Sequence, residues 1–490
     1  MTSSSKHHEN GPASLAWADL YAAKFAFNTP FQLDLSDHQE FLSERVVRII
    51  PKRRIVAFGL WQGRQVAAKI FFDPKLAQKQ MEKDIAGIQL LKKNKIPTPE
   101  LLYQGNTHDK RIYILIFERI VDAKNLEQIW RKKKSIDDVF PILEFVVVEI
   151  ATQHVIGLMQ RDLHLKNFLL SDKTIYTLDG AQIEFSAELL PKKPSMRNLA
   201  LFLSQLGVDS EGYQEKLFRH YANARGWSLK QEDMYELFIM IKHWNNLRWK
   251  KFAKKVFRDS SDYVSMHTWR LAGMYHRRYE GPEFIKFLAQ PDSAFYNPTA
   301  KLLKAGNSAT VIKVTLDHRE FVVKRYNMKS VWHRLRRCLR ETRAKKSWRL
   351  AQKLALFDIP TAKPVAFIEH KSFGLRGKSY YVTEYVNGKH AGEYFTLHYN
   401  QDEEISDMVK RITMLLKNVA KLEITHGDLK ITNILVDKEK QPVLIDLDGA
   451  TEHATLAGLK KAWRKEIRRF LDNFHRHQAL RQKFEVELGD

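Results

Sequence analysis

The feature that most constrains this chain is a pattern that occurs twice. Met159–Gly180 reads MQRDLHLKNFLLSDKTIYTLDG, and Thr425–Gly449 reads THGDLKITNILVDKEKQPVLIDLDG. Each contains D-L-x-x-x-N, an apolar run, a polar turn, a second apolar run and L-D-G, and the turns differ in length.

Matching features lie upstream of both. Ile55–Phe72 has two apolar runs around Gln62-Gly63 and ends in VAAKIFF with Lys69. Leu302–Tyr326 has three apolar runs around Gly306-Asn307-Ser308 and Asp317-His318, and ends near Lys324. Each predicts a β-meander with a lysine on its last strand. A basic helical stretch follows in both, Lys75–Pro97 and Lys329–Pro360, with Pro97 and Pro360 expected to stop the helices. A strand pair then closes at Glu118 in one half and Glu384 in the other. Two sets in the same order predict a tandem duplication. The expected domains are residues 1–285 and 286–490, joined near Gly281–Pro298, with Arg248–Tyr279 assignable to either side.

Phosphoryl transfer needs positioned phosphates, divalent metal to neutralise charge, and a carboxylate to orient the attacking hydroxyl. The second half has a candidate for each part. Gly306, Asn307 and Ser308 lie between two strand runs, where small residues let backbone N–H groups approach phosphate oxygens. Lys324 would reach the α- and β-phosphates, and Glu384 joins the nucleotide-binding set. Asp428 would orient the hydroxyl, while Asn433 and Asp446 would hold the metal. Asp and Asn also favour plain turns. Here Lys324, the glycine loop and IDLDG agree with the functional reading, and Asp448 reads as structural or as a secondary metal contact.

These motifs have a narrower likeness. FVVKRYN (Phe321–Asn327), the K-S-W helix (Lys346–Trp348), DIPTAKP, HGDLKxTN and IDLDG together resemble the bacterial lipopolysaccharide core kinases of the heptose- and Kdo-kinase type. The resemblance covers most of both halves and is specific in the second. It implies an α+β fold of two tandem protein-kinase-like bilobal domains, each with an antiparallel β N-lobe and a mainly helical C-lobe. It also implies ATP and Mg2+ as cofactors and a sugar hydroxyl of the anionic lipopolysaccharide inner core as acceptor. The expected location is cytoplasmic, peripheral at the inner face of the inner membrane. Gly427 stands where many protein kinases have arginine, as in small-molecule kinases of this fold.

The first half departs from the pattern. Lys69, Asp162 and Asn167 are retained, but Gln160 stands for His426 and no glycine-rich loop precedes Lys69. Aligning L-D-G sets Thr177 opposite Asp446 and Asp179 opposite Asp448. The metal aspartate is then lost unless the shorter turn shifts the strand and Asp179 substitutes. Asp84 has the helix register of the acidic residue that pairs with the lysine in such kinases. Ser347 is its counterpart in the second half, with Glu341 the nearest acidic alternative. The first half is therefore expected to be a degenerate scaffold or acceptor platform.

Composition bounds the alternatives. With 81 Lys+Arg against 57 Asp+Glu the formal charge is +24, which suits an anionic partner or a solvated basic surface. No base-reading motif accompanies the charge, so nucleic acid is not expected. The lone Cys338 excludes an intrachain disulfide and a cysteine-based zinc site, and suits a reducing compartment. No apolar run is long enough to span a bilayer, and the first residues lack a secretory signal, so an intracellular protein is expected. The C-terminal stretch Leu459–Phe474 is an amphipathic basic helix, read as packing on the core in preference to lying on a membrane. Arg334–Arg349 suits headgroup binding or a solvated helix face equally, and Gly377-Lys378-Ser379 reads as a hairpin turn, not a P-loop. The rival functions are a tandem pseudokinase that docks to membrane or a partner enzyme, and a kinase with a protein or small-alcohol acceptor.

Overall fold

The structure, a computed structural model, describes residues 14–327, 341–372 and 375–489. Cys338 and the part of the basic run before Glu341 lie outside the described residues. The chain forms two compact units. One extends to Leu206 and includes Glu211–Trp244; the other comprises Gly207–Ser210 and the chain from Asn245 onward.

In the first unit, strict alternation along Arg54–Trp61 sends Ile55, Ala57 and Trp61 into a core while the residues between face outward. The strand joins an antiparallel sheet in the order Phe31–Asp34, Glu40–Ile50, Arg54–Trp61, Arg64–Phe71, Tyr113–Glu118, Leu101–Asn106. Lys69 is on the central strand Arg64–Phe71. The helix Ala77–Lys93 follows. It is ended by its own capping, not by Pro97. Lys95 takes a left-handed conformation (φ 57), and Ile96 N–H donates to Leu91 O at 3.0 Å. Asp358 (φ 57) and the bond from Ile359 N–H to Leu354 O (3.0 Å) close the helix Arg343–Leu356 in the same way. A second core is helical: Leu143, Val146, Val147 and Ile150 of Phe140–Val155 pack with Phe202 and Phe218.

The second unit has a seven-stranded antiparallel sheet among the described residues. Its order is Tyr263–His267, Leu271–His276, Pro364–Ser372, Leu375–Glu384, Arg319–Tyr326, Ala309–Leu316, Lys301–Ala305. Residues 245–285, assigned from sequence to the first half, belong to this unit, because Leu271–His276 pairs with Pro364–Ser372. The proline-rich stretch after Gly281 is not a linker either. It forms the helix Pro282–Ala289, whose Phe284, Phe287 and Leu288 are buried beside Phe321. The carboxylate of Asp317 caps that helix, accepting from Glu283 N–H (3.1 Å) and Phe284 N–H (2.9 Å). Gly377-Lys378-Ser379 lies within a strand, where Ser379 pairs with Tyr326. On the C-terminal helix Leu456–Leu471, Leu459, Ile467, Phe470 and Leu471 are buried, so its apolar face packs on the core. No helix among the described residues is long and apolar enough to cross a membrane.

Two histidines, His154 buried and His276 half-buried, tie stability to pH. His154 lies between the Tyr221 hydroxyl (2.7 Å) and Asn198 Oδ1 (3.0 Å). Burial drives its imidazole down to about 4, opposed by the Asn198 bond and aided by Arg225. In the second unit burial, helped by Arg278, likewise pushes His276 down to about 4. Both stay neutral in the folded state where the unfolded chain would take up protons. Their contribution is complete above about pH 6.5 and is lost as pH falls toward 4. The melting temperature should fall as pH is lowered from about 7 to 5. In scanning calorimetry His154→Gln should flatten that slope.

Candidate active site

In the second unit the register of the sheet places Lys324 opposite Val311 on one side and Tyr381 on the other. Its ammonium meets two carboxylates, with Nζ 2.5 Å from Asp446 Oδ1 and 2.5 Å from Asp448 Oδ2. Both acids follow the strand Pro442–Leu444, and Asp446 is left-handed (φ 62). Burial raises the Asp446 carboxyl, but the charge and hydrogen bond of Lys324 outweigh it and hold the group below its ordinary value. Ser347 Oγ donates to Asp448 Oδ1 at 3.2 Å, and the Tyr326 hydroxyl donates to the same oxygen. Burial and the adjacent Asp448 charge keep Tyr326 well above the usual phenol range, so it remains a donor.

The loop that carries Asp428 is fixed from several directions. A carbonyl can only accept, so His426 carries its proton on Nε2 and donates to Ile445 O at 2.9 Å. The backbone N–H groups of His426 (2.9 Å) and Gly427 both donate to the buried carboxylate of Glu466. Gly427 has φ 78, and a Cβ there would lie 2.2 Å from Gly449 O. Only glycine fits this place without displacing backbone, which gives a local cause for its presence in HGDLK. Asn433 Nδ2 donates to the Asp428 carbonyl at 2.8 Å, while the Asp428 carboxylate pairs with Lys430 at 3.0 Å.

A cavity of about 460 Å³ opens beside this cluster, lined by Lys324, Glu384, Asn433, Asp446 and Asp448, with Val322 and Tyr381 among its apolar walls. That volume lies within the usual range for small-ligand sites. Asp428, Gly306, Asn307 and Ser308 are not among the lining residues. The Gly306 N–H is already used within its hairpin, donating to Ala309 O at 3.1 Å. The Glu384 side chain is engaged by the Tyr279 hydroxyl (2.6 Å), Lys363 (3.4 Å) and Arg278 (3.6 Å). Glu341 does not reach the lysine; it pairs with Arg349 at 3.5 Å.

Hydrogen bonds align the first unit with the second. Phe72 N–H donates to Arg53 O (2.9 Å) as Asn327 N–H does to Ser308 O (3.1 Å). Thr177 N–H donates to Pro97 O (2.8 Å) as Leu444 N–H does to Pro360 O (3.1 Å). Leu178 N–H and Ile445 N–H donate to Asn167 O and Asn433 O at 2.8 and 3.0 Å. Asn167 Nδ2 donates to Asp162 O at 2.7 Å. In this register Asp179 matches Asp446, and Thr177 matches Leu444. The L-D-G alignment is therefore replaced: the shorter turn shifts the strand, and Asp179 is left-handed (φ 67) like Asp446. Lys69 Nζ lies 2.8 Å from Asp84 Oδ1 and 3.6 Å from Asp179 Oδ1. The counterpart of Gly306-Asn307-Ser308 is Pro51-Lys52-Arg53, and Gln62-Gly63 is the turn after it. Gln160 donates to Gln153 at 2.9 Å inside a buried polar network. Asp162 pairs with His164 at 2.7 Å and lies 3.7 Å from Lys166.

Sequence reasoning missed Glu466 and Tyr326. Glu466 is on the basic C-terminal helix, where one acid among many cations gives no motif. Tyr326 is visible only as the residue two beyond Lys324, on the same face of its strand.

Residues 300–485 match the model of the Lipopolysaccharide kinase (Kdo/WaaP) family. The match falls within the second unit and includes all the cavity residues named above. The match supports a phosphotransferase. No curated protein matches the chain.

Gly427→Ala should lower the melting temperature by several degrees, because the new Cβ meets backbone. Gly63→Ala is the control, with φ 71 but nothing within 4 Å. Equal losses in thermal scans would contradict the close approach at Gly449.

Proposed function

We propose that the second unit transfers the γ-phosphoryl group of ATP to a sugar hydroxyl of the lipopolysaccharide inner core, at the cytoplasmic face of the inner membrane. The observation that carries this reading is the convergence of Lys324, Asn433 and Asp446 on one cavity within the family match. Asn433 lines the cavity and donates through Nδ2 to Asp428 O, so its Oδ1 would be the atom offered to a metal. With the Asp446 carboxylate it forms an all-oxygen set suited to Mg2+, a hard ion that keeps several waters. When bound, the metal would neutralise charge on the transferring phosphates.

The protein's part is positional. Lys324 would hold the α- and β-phosphates, with the nucleotide base against the apolar wall near Glu384. Asn307 and Ser308 would present their hairpin above the phosphates. Asp428, balanced by Lys430, would orient the acceptor hydroxyl. The acceptor oxygen bonds to the γ-phosphorus as the bridge to the β-phosphate breaks. ADP leaves, and the proton passes through Asp428 to solvent.

The two units are proposed as tandem kinase-like copies. The first retains Lys69, Asp162, Asn167 and Asp179, but Pro51-Lys52-Arg53 stands for Gly306-Asn307-Ser308 and Gln160 replaces the histidine. It is assigned the part of a degenerate platform for the acceptor.

Asp428→Ala should fold normally and reduce phosphate transfer to purified core glycolipid by at least about 100-fold. Retention of wild-type turnover would contradict the assignment. Asp446→Asn should abolish transfer by the full-length protein, while Asp179→Asn should leave it unchanged. Equal losses would mean two transferring sites. Transfer to a protein or small alcohol but not to core glycolipid would change the acceptor and keep the chemistry.

A further inference from the structure

The two units build one lysine environment from opposite sides. In the first, the anchoring carboxylate comes from the helix Ala77–Lys93: Asp84 Oδ1 is 2.8 Å from Lys69 Nζ and accepts from Ala181 N–H at 3.2 Å. In the second, Ser347 occupies the helix position. The carboxylate comes from Asp448, two residues after Asp446 as Ala181 is two after Asp179. Ser347 Oγ donates to Asp448 Oδ1 at 3.2 Å. The helix-to-loop hydrogen bond is present in both units, with the charge on the helix in one and on the loop in the other.

Backbone packing accounts for the difference. A Cβ on Gly87 would lie 1.9 Å from Gly180 O, so bare backbone meets bare backbone and the short Asp84 side chain reaches the lysine. The second unit has Leu350 three residues after Ser347, and Leu447 directly after Asp446. Both are buried in its core. A carboxylate carried by the loop does not depend on such a close helix.

The two acids on Lys324 are not equivalent. Asp448 also accepts from the hydroxyls of Ser347 and Tyr326, which fix its orientation. Among the described residues Lys324 is the one hydrogen-bond donor recorded to the Asp446 side chain. An anchored carboxylate holds a cation in place; an unanchored one can turn toward a metal at little cost. We infer that Asp448, oriented by Ser347 and Tyr326, is the residue that positions Lys324 for the nucleotide, the part that Asp84 plays for Lys69. Asp446 is thereby released to the metal. This deepens the phosphotransferase reading of the same cavity and rests on it.

The test uses the full-length protein, with ATP affinity measured by calorimetry at low and high Mg2+ and turnover measured in parallel. Asp448→Ala and the shape-conserving Asp448→Asn should each weaken Mg-ATP binding by about tenfold or more. Raising Mg2+ should not restore it, since no metal ligand has been lost. Adding Ser347→Asp or the longer Ser347→Glu to Asp448→Ala rebuilds the first unit's arrangement and should recover most of the affinity. Tyr326→Phe should show a smaller loss. Wild-type affinity in Asp448→Asn, a defect that disappears at high Mg2+, or no recovery in folded double variants would each overturn the inference. If the wild-type protein binds no Mg-ATP, the phosphotransferase reading fails, and this inference with it.

Discussion

At the second unit's cavity one partly buried ammonium is shared by two carboxylates. A lysine on a central strand, facing a largely apolar interior, is costly to desolvate unless anions compensate it. Asp446 and Asp448 do so at 2.5 Å each. This requirement brings together the sheet, the loop after Pro442–Leu444 and the helix Arg343–Leu356, because lysine, acids and anchoring serine come from these three elements. The first unit meets the same requirement with a different distribution of charge.

That contrast shows how two similar arrangements can differ in charge without losing their geometry. The bonds from Asn167 and Asn433 to the aspartate carbonyls differ by little, as do the strand pairings before Asp179 and Asp446. Backbone bonds set the scaffold, so side chains on either side of one hydrogen bond can exchange charge. The hairpin ahead of the lysine strand diverges further, since Pro51-Lys52-Arg53 has none of the small residues of Gly306-Asn307-Ser308. The platform role proposed for the first unit rests on this uneven retention.

Lys324, Glu384, Asn433 and Asp446, all picked out in the sequence, line one cavity, whereas Asp428 and Gly306-Asn307-Ser308 are not among its lining residues. Lys324, Asp428, Asn433 and Asp446 stand out through flanking apolar runs that predict strands and a tight loop. Three features were not legible, each for a physical reason. The register of Asp179 depends on the length of a hairpin turn, which letter alignment at L-D-G cannot measure. The division between units falls inside the continuous helix Gln231–Lys255, which contains no proline or glycine to mark it. Glu466 acts from far along the chain on two backbone N–H groups, and a backbone donor leaves no trace in side-chain patterns.

The central claim is that Lys324 lies against the phosphates of a bound nucleotide. An acyl-phosphate derivative of ATP, which acylates the lysine nearest its phosphates, tests this directly when the labelled protein is digested and sequenced by mass spectrometry. The account predicts acylation at Lys324 that excess Mg-ATP suppresses. Labelling confined to surface lysines, or labelling of Lys324 that Mg-ATP leaves unchanged, would contradict it.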